Sequence, residues 1–110
     1  MKETIRRIVE ALEPEAIYLY ESHAYGQPHQ DSDIDLLVVV ADSALPPHRR
    51  SVPAYRALRG LYMPAEVIVT TQAEFERRVR WQSSPERAAV DKRKVLYERA
   101  AFEEIKGRLP

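Results

Sequence analysis

Leu36-Leu37-Val38-Val39-Val40 constrains the fold more than any other stretch of the chain. Alternate residues of a strand point to opposite faces, so an unbroken apolar run from Ile34 to Ala41 suits a central strand buried on both faces. The flanking segments supply the covering layers. Ile5, Ile8, Val9 and Leu12 repeat at helical spacing, which predicts a helix over Lys2 to Leu12 that Pro14 ends. Ala16 to Tyr20 and Glu66 to Thr70 read as further strands, and Val95-Leu96-Tyr97 as a short edge strand.

Between them, Val52, Tyr55, Leu58 and Leu61 mark the apolar stripe of a helix from His48 to Tyr62, with Arg49, Arg50, Arg56 and Arg59 off that stripe. Thr71 and Glu74 form a capping box that starts a helix running to Trp81. Ser84-Pro85-Glu86 is another helix start, and Phe102, Ile105 and Leu109 place an amphipathic helix last. Glu21 to Asp31, with Gly26 and Pro28, reads as loop. The expected architecture is α/β, one domain over residues 1–110, with helices packed on a small mixed β-sheet.

Composition narrows the function. The chain has 110 residues and no Cys, which excludes a disulfide framework and thiolate chemistry. No apolar run reaches the ~18 residues of a membrane span, and the first apolar residues belong to an amphipathic helix, so the expected address is the cytoplasm. Formal net charge is zero, with 17 basic and 17 acidic residues, which gives no strong nucleic-acid signature. Residues 1–45 nevertheless hold 3 basic and 9 acidic side chains, and residues 46–110 hold 14 and 8. His23, His29 and His48 have no zinc-ligand spacing.

Asp31-Ser32-Asp33-Ile34-Asp35 runs directly into the apolar strand. In extended backbone Asp33 and Asp35 share a face while Ile34 points to the other. Two carboxylates at that spacing repel, and one is driven towards protonation unless a cation sits between them. Holding a divalent metal is their most natural use. Glu66 opens the other strongly apolar strand. If the two strands are neighbours, Glu66 completes a three-carboxylate cluster of the kind that holds Mg²⁺. An EF-hand loop would need Gly where Leu36 stands, and haloacid-dehalogenase-type phosphatases place their aspartates after the strand rather than before it.

With the residues upstream, this region resembles the minimal nucleotidyltransferases of the DNA-polymerase-beta-like superfamily. Their signature is a hydrophobic strand, Gly-Ser, ten residues, Asp-x-Asp, and a second hydrophobic strand. Here Ser22 and Asp33 are separated by ten residues, His23 to Ser32. Ala24 and Gly26 match the family's Gly-Ser-x-Ala-x-Gly run, and Ser32-Asp33-Ile34-Asp35-Leu36 its Ser-Asp-hydrophobic-Asp run. Glu66 falls where the family places its third carboxylate, and Lys94 to Glu98 resembles its short C-terminal strand.

The resemblance implies a polymerase-beta-like nucleotidyltransferase fold. It also implies that Asp33, Asp35 and Glu66 are catalytic and bind Mg²⁺ as cofactor, while Ser22 and Gly26 hold the phosphates of a nucleoside triphosphate. The implied reaction moves a nucleoside monophosphate, AMP in the first instance, to a hydroxyl. A tyrosine on a small helical HEPN-class toxin is such an acceptor, and a chain this short takes its acceptor surface from a partner or a second copy. Glu21 stands where the family has glycine, inside the nucleotide-binding run. At ~5 Å and an effective dielectric of about 20, one like-charge pair costs about 3 kcal/mol. The alternative reading is therefore a non-catalytic antitoxin or assembly subunit of the same fold.

Overall fold

The computed structural model describes residues 2–20, 34–61, 65–81, 86–87 and 95–100. Helix α1 spans Lys2–Leu12 and strand β1 Ala16–Tyr20. Strand β2 spans Ile34–Val40, helix α2 Val52–Ala57 and strand β3 Ala65–Thr71. Helix α3, Gln72–Arg78, follows directly, and strand β4 is Val95–Glu98. The loop expected after Tyr20 and the helix expected through Phe102, Ile105 and Leu109 lie outside the described residues, as does most of the start signal at Ser84-Pro85. Glu86 and Arg87 are helical.

The sheet is four-stranded, in the order β3-β2-β1-β4. β1 runs antiparallel to β2 and β4, and β2 runs parallel to β3, so the sheet is mixed as expected. β2 is interior, and its unbroken apolar run is explained by what lies on each side. Leu36, Val38 and Val40 join Ile17 and Val67 beneath Ile8 of α1 and Ala54 of α2. Leu37 and Val39 join Ala16 and Tyr18 beneath Phe75 and Val79 of the α3 segment. The Tyr18 and Phe75 rings stack with centroids 5.9 Å apart and planes 9° apart. Each face is thus apolar at its centre, and each residue from Leu36 to Val40 has a layer to enter.

α1 is held by its own charges as well as by its apolar stripe. Arg6 lies between Glu3 and Glu10, with Nη1 donating to Glu10 at 2.8 Å. Arg7 pairs with Glu3 at 3.0 Å and also donates to the Ala57 and Arg59 carbonyls, at 3.4 and 3.0 Å. Those carbonyls end α2, where orphan acceptors and the negative end of the helix dipole favour a cation. The helix stops at Glu13, whose N–H donates to the Val9 carbonyl at 2.9 Å with φ at 47°.

The segment after β2 departs from expectation. Instead of one helix over His48 to Tyr62, a 3-10 turn at Pro47–Arg49 precedes the six-residue α2. Pro53 lies within the first two helical positions, where its missing N–H costs nothing, and it starts α2 afresh rather than continuing a longer helix. Gly60, with φ at 90°, ends the run in a conformation that other residues rarely adopt. The buried face changes with it. Ala54 is the fully buried residue, while Val52 and Tyr55 of the expected apolar stripe are exposed. Arg50, expected on the surface, is half-buried in an ion pair with Glu74.

α3 begins as the sequence indicates. The Thr71 Oγ1 accepts from the Glu74 N–H at 3.3 Å, and its hydroxyl donates to Glu74 Oε1 at 2.9 Å. The Glu74 carboxylate turns to that hydroxyl and to Arg50. The helix closes at Arg78 instead of reaching Trp81, with the Trp81 N–H taking the Arg78 carbonyl at 2.9 Å in a tightened last turn.

Candidate active site

β2 and β3 meet in parallel register with Asp35 opposite Glu66. Register partners in a parallel pair project to the same face, and adjacent strands lie about 4.8 Å apart. The condition set by the sequence, that the two strands be neighbours, is met. The two carboxylates share the face that carries Leu37, Val39 and Ile68, the same face that α3 covers further along the strands.

Their surroundings differ. Asp35 is 4 % exposed on the interior strand, whereas Glu66 is exposed on the edge strand. A carboxylate removed from water next to an apolar layer is costly unless other groups compensate its charge. Tyr20, the last residue of β1, pairs with Asp35 on the other side. β1 therefore ends beside the Asp35–Glu66 pair. Asp33, Ser22, Gly26 and Glu21 themselves lie outside the described residues. Among the described residues no cluster of three metal-ligating side chains occurs, so two of the three expected carboxylates are seen together.

The donor set fits Mg²⁺. That ion takes hard oxygens, binds through one or two carboxylates and retains water or phosphate oxygens in its remaining positions. One acidic side chain from each of two adjacent strands, both on one face, offers such ligands. Asp33 stands two residues before Asp35, the spacing that keeps a strand residue on the same face.

Three features near this site had no sequence signal. The Val67 N–H, next to Glu66 on the outer edge of β3, donates to the Tyr55 Oη at 2.9 Å, so α2 is pinned to the edge strand. The Tyr18 hydroxyl donates to Glu98 Oε2 at 3.2 Å, and burial together with the Glu98 charge pushes its pKa well above the usual tyrosine value. Behind α3, Arg50, Glu74, Arg78 and Glu86 form a chain of charges, with Arg78 3.9 Å from each acid. Burial pushes Glu74 up, but the Thr71 hydroxyl and Arg50 outweigh it and hold the carboxyl below its ordinary range. Glu86 is 1 % exposed, and burial raises its pKa despite Arg78.

A groove of about 610 Å³ lies elsewhere, between α1 and β4, with Ile5, Val9, Leu96 and Tyr97 on its walls. It belongs to the other face and the other edge of the sheet. Among the described residues no helix is long and apolar enough to cross a membrane.

A mixed four-stranded sheet with an acidic pair at the start of its parallel strands defines the class, and comparison gives the family. The family described as Polymerase beta, Nucleotidyltransferase matches residues 3–101. The chain belongs to that family. No curated protein matches it. Among solved structures, it resembles a toxin-antitoxin crystallised with AMP-PNP, at 20 % identity and a TM-score of 0.56, over 96 % of this chain and 78 % of that one. It also resembles a mutant of the toxin-antitoxin MntA-HpeT, at 18 % identity and a TM-score of 0.55, with the same coverage. At these identities the likeness is one of fold.

Proposed function

We propose that the protein is a minimal nucleotidyltransferase that moves a nucleoside monophosphate from a nucleoside triphosphate to a hydroxyl of a partner protein. The observation that carries this reading is the Asp35–Glu66 pair, one acid on each of two parallel strands in a chain of this family. The AMP-PNP in one similar structure supports ATP as the donor. The toxin-antitoxin make-up of both supports a toxin as partner, of the HEPN class with a tyrosine acceptor by the family resemblance.

Asp33, Asp35 and Glu66 would hold magnesium, which when bound supplies positive charge to the triphosphate oxygens. Ser22 and the amides around Gly26 hold the phosphates at the end of β1, in the manner of backbone anion nests. Glu66, exposed on the edge strand, receives the proton of the acceptor hydroxyl. The acceptor oxygen bonds to the α-phosphorus as the bond from that atom to its bridging oxygen breaks. Pyrophosphate leaves with the electron pair. Asp35, nearly buried on the interior strand, is held beside Glu66 by the strand register.

Glu21 favours a second reading, a subunit that keeps the fold without the reaction. Incubation with a co-purified partner and either α- or γ-labelled ATP separates the two. Transfer predicts α-label on protein, no γ-label, and loss of the signal in Asp35→Asn. Retention of γ-label would mean phosphoryl transfer and contradict the reading. No label from any of ATP, GTP, CTP or UTP would leave the assembly subunit.

A further inference from the structure

We infer that the α2 face and the loop before it form a docking surface for an acidic protein partner. From Ser43 to Ala65 the chain contains no Asp or Glu and four Arg. Arg50 is spent on Glu74. The side chains of Arg49, Arg56 and Arg59 make no hydrogen bond or ion pair among the described residues. α1 offers the contrast, because Arg6 and Arg7 are both paired with glutamates of their own helix. Among the described residues, charge on α1 is neutralised within its own helix, while Arg49, Arg56 and Arg59 around α2 have no acidic partner.

Apolar surface accompanies that charge. Leu45 and Val52 are each 40 % exposed and Tyr55 is 44 % exposed, although Val52 and Tyr55 have the spacing of a buried stripe. Exposed aliphatic and aromatic groups among arginines match the composition of protein interfaces, where Tyr and Arg are enriched. A nucleic-acid surface would ask for more phosphate-neutralising charge than three guanidiniums in a chain of zero net charge provide. The occupant that complements this face is a helix or strap with glutamates or aspartates beside an apolar stripe.

Position links the surface to chemistry. Tyr55 reaches the Val67 N–H at 2.9 Å, and Glu66 is the next residue on the same edge strand. α2 packs on the sheet face opposite the one that carries Glu66, so an acceptor carried by a partner on α2 would reach that carboxylate around the β3 edge. That last link rests on the transferase reading, and the docking surface itself does not.

The test uses the full chain without nucleotide or metal, so that a silent catalytic site leaves it intact. The probe is a labelled 20-residue helical peptide with a Leu/Tyr stripe flanked by glutamates, alongside a scrambled peptide of equal composition and a single-stranded RNA of 20 nucleotides. Anisotropy should show the patterned peptide binding at least tenfold more tightly than the scrambled one. The Arg49→Glu/Arg56→Glu/Arg59→Glu variant should lose at least tenfold, and Val52→Ser should lose severalfold with its thermal melt unchanged. Equal binding of both peptides, no effect of the arginine variant, or tighter binding of the RNA would overturn the proposal. So would sedimentation that shows the wild type as a dimer and the arginine variant as a monomer, since a second copy would then cover the face.

Discussion

Asp35 and Glu66 are one register pair, yet they are placed for different work. The buried aspartate is fixed by the strand on either side of it, so its carboxylate has little freedom and little water. The glutamate stands exposed on the edge strand, a position from which the proposed transfer would take the hydroxyl proton and pass it to solvent. Glu86 is a third acid out of water, but its environment is of another kind. Its carboxylate is raised by burial and lies 3.9 Å from Arg78, too far for a hydrogen bond. A carboxyl whose pKa is raised on folding binds more protons in the native state, so stability falls as pH climbs above its unfolded value. Glu86→Gln should therefore be more stable than wild type at pH 7, on the order of 1 kcal/mol, with the difference vanishing below about pH 4. Urea midpoints across that range measure it, and a difference independent of pH would show that Glu86 is not the cause.

At the scale of elements, the strands and α1 were legible because each follows one period and ends on a clear signal. The apolar run of β2, Pro14 and the Thr71 cap all describe what the chain does locally. α2 was not legible in the same way. The stripe Val52, Tyr55, Leu58, Leu61 has helical spacing, but Pro53 and Gly60 cut it to six residues and turn Ala54 inwards. Tyr55 was unreadable for a related reason, since its partner is an edge-strand N–H brought to it by the crossing of α2 over β3. The site was half legible. Both acids could be placed at strand starts, but which strands adjoin is a property of the sheet order. The end of α1 yields a prediction of its own. Glu13 holds φ at 47°, a left-handed position that glycine adopts without strain. Glu13→Gly should raise stability by about 1 kcal/mol, roughly 4–8 °C in melting temperature for a domain of this size. An unchanged or lower melt would show that the Glu13 side chain has a role that offsets the strain.

Across the whole molecule, the sheet order explains why function gathers at one end. β2 contributes a buried acid, β3 an exposed one, and β1 ends beside them at Tyr20. Three separate stretches of sequence therefore meet at one end of the sheet, while α3 and its charged neighbours brace the sheet further along. The front of the chain is acidic and the back basic, which places Asp33 and Asp35 in one half and Glu66 with Arg49, Arg56 and Arg59 in the other. On the proposed function, this end of the sheet binds a nucleotide through magnesium held by aspartates. Calorimetric titration of the chain with ATP, GTP, CTP and UTP, with and without Mg²⁺, tests it directly beside an Asp33→Asn/Asp35→Asn control. Binding should need Mg²⁺ and be weakened at least a hundredfold in the control. Binding that persists without the metal, or that the control retains, would contradict it.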